Sequence, residues 1–147
     1  MIDYRILPGL SLVIFVARGW TGLNEILGMS ERLRSDPLFA SDYDALVDDS
    51  ELEHPPTGAE LRRLAEPRVL PRKSGVKLAV IAPGDLNYGT SRMHQMMAEN
   101  REPHEVQVFR DRGEALRWLD REGRGVERVL DEMHHQLDVK EVKVARG

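Results

Sequence analysis

The sequence predicts one α/β domain, a mixed four- or five-stranded sheet with helices packed on it, and three observations predict it. Two short apolar segments near the start are split by Pro8-Gly9. Two runs, 13–16 and 76–82, are apolar without polar alternation, Lys77 being the one charged residue in them. From Trp20 onward, segments with helical spacing alternate with strand-like ones. A Pro–Gly step between apolar segments is turn chemistry and reads as a hairpin. A strand with no polar alternation is one covered on both faces. Strands separated by helical crossovers pair parallel, so βα units follow the hairpin.

Residues 4–7 and 11–17 form the two arms of that hairpin, and the second belongs in mid-sheet. Leu23, Ile26, Leu27, Ser30 and Leu33 then keep helical spacing until Asp36-Pro37. A short strand over 43–47 closes on Asp48-Asp49-Ser50. Thr57 stands ahead of a helix carrying Leu61, Leu64 and Ala65, which Pro67 ends. The central run 76–82 turns at Pro83-Gly84-Asp85 into a helix with Met93, Met96 and Met97 on one face. Val106, Val108 and Phe109 form the last strand, and 114–122 returns as a helix. Residues 1–122 make the body of the domain. Residues 123–147 form an amphipathic helix with Val129, Leu130, Met133 and Leu137, followed by a Val/Lys-rich tail. That segment either packs on its own domain or pairs with a second copy in a homodimer.

The chain has 147 residues, 41% hydrophobic and 31% charged, the composition of a globular domain with one core. A net charge of -4 gives no global signal for nucleic acid. The absence of cysteine excludes thiolate chemistry and cysteine-ligated metals. The longest apolar run, 12–17, is far short of the roughly 20 residues of a membrane span, and a cytoplasmic location is expected. No phosphate loop, dinucleotide fingerprint, nucleophile elbow or His-Glu-x-x-His zinc motif is present, so neither a cofactor nor an enzymatic activity is expected.

Taken in order over 2–119, several short stretches carry a resemblance. They are the opening hairpin, Gly19-Trp20-Thr21, Asp36-Pro37, the strand closing on Asp48, Val80-Ile81-Ala82, Tyr88-Gly89 with Arg92-Met93, and Val108-Phe109-Arg110 followed by Glu114-Ala115-Leu116-Arg117-Trp118-Leu119. This pattern resembles the SpoIIAA-like, STAS-related family, which is grouped loosely with CRAL-TRIO-like lipid-binding folds. The resemblance implies a module that binds partners. Related STAS domains are switched by phosphorylation at the start of the second helix, where Thr57 is the positional match. The Asp-Ser-Ser-Gly motif of those domains is replaced here by Pro55-Pro56-Thr57-Gly58.

Loops at the carboxyl ends of parallel strands are where partners and ligands meet such sheets, which singles out Asp48, Asp49, Thr57, Asp85, Tyr88 and Arg92. Thr57 reads as a helix cap or as a phosphoacceptor. Asp48, Asp49 and Asp85 offer carboxylates to a hard cation but lack ligand spacing, and no metal is assigned. Arg92 suits an anion with Tyr88 beside it, or ties its own loop to Asp85. The methionines suit core packing or an adaptable apolar lining. Trp118 anchors the last family helix, while His94, His134 and His135 lack metal spacing and face solvent. The cluster Arg62, Arg63, Arg68, Arg72 and Lys73 reads as a solvated face. The sequence thus points to a non-enzymatic interaction or regulatory module with a protein partner. The alternative is a carrier for a small apolar or anionic ligand near Tyr88, Arg92 and Met93/Met96/Met97.

Overall fold

The computed structural model describes residues 1–64, 75–99 and 105–146. Strands β1 (Ile2–Leu7), β2 (Leu12–Trp20), β3 (Asp44–His54), β4 (Lys77–Ile81) and β5 (Glu105–Phe109) form one sheet in the order β1-β2-β3-β4-β5. β1 runs antiparallel to β2 and every other pair is parallel, a mixed α/β sheet of five strands. The hairpin turns through a single 3-10 turn at Pro8–Leu10, with Ser11 in the left-handed region.

Alternation along β2 sets up two cores, because successive strand side chains point to opposite faces. Leu12, Ile14 and Val16 join Leu46, Ala79 and Ile81 under α4 (Arg112–Trp118) and α5 (Val126–Arg146). Val13, Phe15, Ala45, Leu78 and Val80 lie on the other face with Met29 and Leu33 of α1 (Leu23–Arg34) and with Tyr88 of α3 (Asp85–Glu99). The short α2 (Gly58–Leu64) lies beside α3. Val126, Leu130, Met133 and Leu137 of α5 are buried in the first core, so the amphipathic stripe of this helix covers its own sheet. Beyond it Val139, Val142 and Val144 are exposed.

Two arginines fasten the layers. Arg121 donates to the Leu10 carbonyl from Nε and Nη2, at 3.2 and 2.8 Å, and pairs with Asp44 at 2.8 Å. The other Asp44 oxygen accepts the Lys77 N–H at 2.8 Å, joining the amino ends of β3 and β4 to the hairpin turn. At the opposite end, Arg18 pairs with Asp138 and Glu141 and donates to the His134 carbonyl, holding α5 on β2. Trp118 packs on Phe109 with ring centroids 5.7 Å apart, and Lys77 lies over its ring.

β3 departs from the expected 43–47. It runs through Asp48-Asp49-Ser50 to His54 because the polar run is a bulge rather than a turn. Val16 pairs with Asp48 and Arg18 with Glu51, so β3 carries one residue more than β2 there. The Asp48 carboxylate accepts the Ser50 N–H at 2.9 Å inside the bulge. Farther along, Gly19 adopts φ +60°, a conformation strained for other residues. The last helix before the linker is also shorter than the expected 114–122: it begins at Arg112, capped by Asp111, and ends at Trp118.

If α5 is part of the core, Leu130→Ala lowers unfolding stability by about 2–5 kcal/mol, the usual cost of emptying a packed leucine site. Urea denaturation measures it, and a loss below about 0.5 kcal/mol contradicts this packing.

Candidate functional site

Asp48 has no solvent-exposed surface and stands where β3 outruns β4, whose pairing stops at Asp48 with Ile81. By strand alternation its side chain shares the α4/α5 face with Leu46. His134 of α5 lies with Nε2 3.0 Å from Asp48 Oδ2 and donates to it, while Oδ1 takes the Ser50 N–H. Arg112 of α4 adds a longer contact of 3.7 Å to Oδ2 and bonds Asp131 of α5 at 3.0 Å. Burial raises the Asp48 pKa, and the hydrogen bonds from His134 and Ser50 outweigh it, leaving the carboxyl below its ordinary value.

Asp49 points the opposite way. Desolvation, reinforced by the charge of Asp48, pushes its carboxyl up to about 7. On this face Asn87 of α3 donates its amide to the carbonyls of Asp49 and Leu52, at 3.2 and 2.6 Å. A side chain thereby does for the end of β3 what a neighbouring strand does lower down. Among the described residues, two buried side-chain atoms flanking the bulge, Asn87 Oδ1 and His134 Nδ1, have no hydrogen-bond partner.

Of the six residues expected at one rim, Asp48 and Asp49 are consecutive on β3, Thr57 stands just ahead of α2, and Asp85, Tyr88 and Arg92 lie on α3. Asp48 and Asp49 project to opposite faces, an arrangement unsuited to sharing a cation with Asp85. Thr57 is exposed and forms a reciprocal cap with Glu60: its N–H donates to the Glu60 carboxylate at 3.0 Å and its Oγ1 accepts the Glu60 N–H at 3.2 Å. Asp85 is tied to Arg110, at 2.7 Å, and not to Arg92. Arg110 also donates to the Pro83 carbonyl and lies 4.2 Å from the centre of the Tyr88 ring. Arg92 donates to Gln95, at 2.6 Å. Met93 and Met96 are exposed rather than packed in the core, and the side chains of Met97 and His94 lie outside the description. Arg62 and Arg63 are exposed, while Ala65, Pro67, Arg68, Arg72 and Lys73 lie outside the described residues.

His134 corrects the expectation of a solvent-facing pair: it is partly buried against Asp48, and only His135 is exposed. A signal for this exists in the sequence. At about 100° per residue, His134 lies about 60° from Leu137 on the apolar stripe, whereas His135 lies about 160° away. Arg112, a helix-start residue without pattern, has no comparable signal.

The folding consequences are testable by titration. Asp49 is protonated more readily folded than unfolded, so its effect lowers stability as pH rises from about 4 to about 7, at no more than about 1.4 kcal/mol per pH unit. Asp48 acts in the opposite sense, its contribution being lost as pH falls through its lowered folded pKa. Asp49→Asn is expected to raise the urea midpoint at pH 8 and leave it near the parent value at pH 4.5. An equal shift at both pH values contradicts this assignment. His134→Leu leaves the Asp48 carboxylate short of a donor and is expected to cost about 1–3 kcal/mol, against less than about 0.5 for the exposed control His135→Leu. Equal costs for the two contradict the role given to His134.

No family model matches the sequence, and no curated protein matches it. Among solved structures, the chain is similar to an uncharacterized protein of the DUF3478 family from Shewanella loihica PV-4, described as having a SpoIIAA-like fold. The two share 22% identity with a TM-score of 0.57, over 80% of this chain and 93% of that one. The fold is therefore SpoIIAA-like. No helix among the described residues is long and apolar enough to cross a membrane.

Proposed function

We propose that this chain is a non-catalytic, regulatory interaction module that engages a protein partner through the outward face of α3 and the adjoining α2. The observation carrying this reading is an apolar stripe turned to solvent: Leu86, Met93 and Met96 on α3 are 67%, 45% and 54% exposed. Leu86 and Met93 are two turns apart on one side of the helix, and Met96 continues that side. Clustered exposed apolar side chains are characteristic of contact surfaces, and thioethers adapt to the shape of what they meet.

The polar groups of the carboxyl rim support a surface over a reaction centre. Asp48 is held by His134 and Ser50, Asp85 by Arg110, and Tyr88 lies beneath the Arg110 guanidinium. Each of these groups is engaged by a neighbour within the chain. The same engagements weigh against the carrier alternative, since Tyr88 and Arg92 each have a neighbour as partner and Met93 and Met96 turn outward.

Thr57 supplies a means of regulation within this reading. Its hydroxyl is exposed at the start of α2, and a phosphate there would meet the Glu60 carboxylate that now closes the cap. Repulsion between the two would open the first turn of α2 beside the α3 stripe.

A photo-crosslinking residue at Met93 of the full chain, expressed in cells, is expected to capture a discrete protein that the same residue at Arg128 of α5 does not. Leu86→Ser should reduce that capture without shifting the thermal midpoint by more than about 2 °C. Identical capture from both positions, or a small molecule retained in native mass spectrometry in place of any partner, overturns the reading.

A further inference from the structure

β1 is an outer strand, and the side away from β2 opens into a groove of about 650 Å³ between α1 and α5. The ladder with β2 turns the backbone groups of Asp3, Arg5 and Leu7 inward and those of Ile2, Tyr4 and Ile6 outward. Consistent with that parity, the Ile2 N–H meets the Glu25 carboxylate at 2.9 Å and the Tyr4 N–H meets the Asp3 carboxylate at 2.8 Å.

The side chains along this edge form a self-complementary sequence: Ile2, Asp3, Tyr4, Arg5, Ile6. We propose that β1 is a self-association edge, on which two copies of this chain pair antiparallel about a two-fold axis at Tyr4, joining their sheets into one of ten strands. In this register Ile2 lies opposite Ile6 of the second copy, Tyr4 opposite Tyr4, and Asp3 opposite Arg5. The outward-turned residues become the hydrogen-bonded pairs. Asp3 and Arg5 fall in the non-hydrogen-bonded position, where directly opposite side chains come closest.

Charge fixes both the occupant and the register. Moving the axis by one residue sets Asp3 against Asp3 or Arg5 against Arg5, so only the axis at Tyr4 makes both cross-pairs opposite in sign. Asp3 and Arg5 already lie on the α5 side, Asp3 near Lys140 and Arg5 on Glu132 and Gln136. The groove has a mixed lining, Ile2, Ile6, Leu38 and Leu137 lying beside the charged Glu25, Arg32, Asp36 and Lys140. Because Glu25 and Asp3 already occupy two outward N–H groups, pairing exchanges those hydrogen bonds rather than adding them. The cross-strand ion pairs and the groove lining therefore set the strength of association, and two-fold pairing of one patch with itself is the commonest form of a symmetric dimer.

Sedimentation equilibrium of the full chain tests this. The parent is expected to show a monomer–dimer equilibrium, and Asp3→Arg and Arg5→Asp each to weaken it about tenfold or more by setting like charges opposite one another. An equimolar mixture of the two variants is expected to recover dimer, since both cross-pairs in the mixed species are again opposite in charge. A monomeric parent at its highest soluble concentration, variants that dimerise like the parent, or a mixture that stays monomeric overturns the proposal. Should either variant fail to fold, Tyr4→Cys gives a separate readout in a chain without other cysteines. Mild oxidation should link two copies through residue 4 but not through Trp20→Cys at the exposed end of β2, and equal linking of both, or linking of neither, overturns it.

Discussion

Asp48 is a carboxylate with no exposed surface within the central strand, where its pairing with β4 stops, and burying such a charge is costly unless donors surround it. The donors come from separated parts of the chain: Ser50 from within the bulge, His134 from α5 and Arg112 from α4. This requirement fixes the seating of both helices on one face of the sheet. β4 ends at Ile81, so the next stretch of β3 has no strand on that side, and Asn87 holds the Asp49 and Leu52 carbonyls instead. One buried charge thus organises the α4/α5 face at this end of the sheet.

The strand order bears on what that end can do. In doubly wound sheets, ligands settle where the strand order reverses and neighbouring crossovers part to leave a crevice. Here the order runs from β1 to β5 without reversal. Helices change face only after β5, at Arg110 and Arg112, and both arginines are spent on internal pairs there. Exposed apolar side chains lie instead on α3, at Leu86, Met93 and Met96, and β1 is an outer strand.

Much of the architecture was legible in the sequence because it rests on periodicity. The unbroken run 13–16 marked a strand covered on both faces, and the spacing of Leu130, Met133 and Leu137 marked the buried side of α5. The extent of β3 was not legible, since Asp48-Asp49-Ser50 has the composition of a turn and only its pairing with β2 shows a bulge. Candidate residues fared differently from elements for a physical reason. Asp48 could be singled out by its expected place at a strand end, but its partners lie 64 and 86 positions away, where no local pattern pairs them with it, and Asp85 met Arg110 in preference to the nearer Arg92.

The contacts of Arg121 with Leu10, and of Arg5 with Glu132, join residues more than a hundred positions apart. Closing loops of that length is entropically slow, and it sets an order on folding. The hairpin is synthesised before α4 and α5, which together supply the cover for Leu12, Ile14 and Val16. An apolar sheet face therefore stays uncovered until α5 has been made, and that interval is the one in which this chain most needs protection from aggregation.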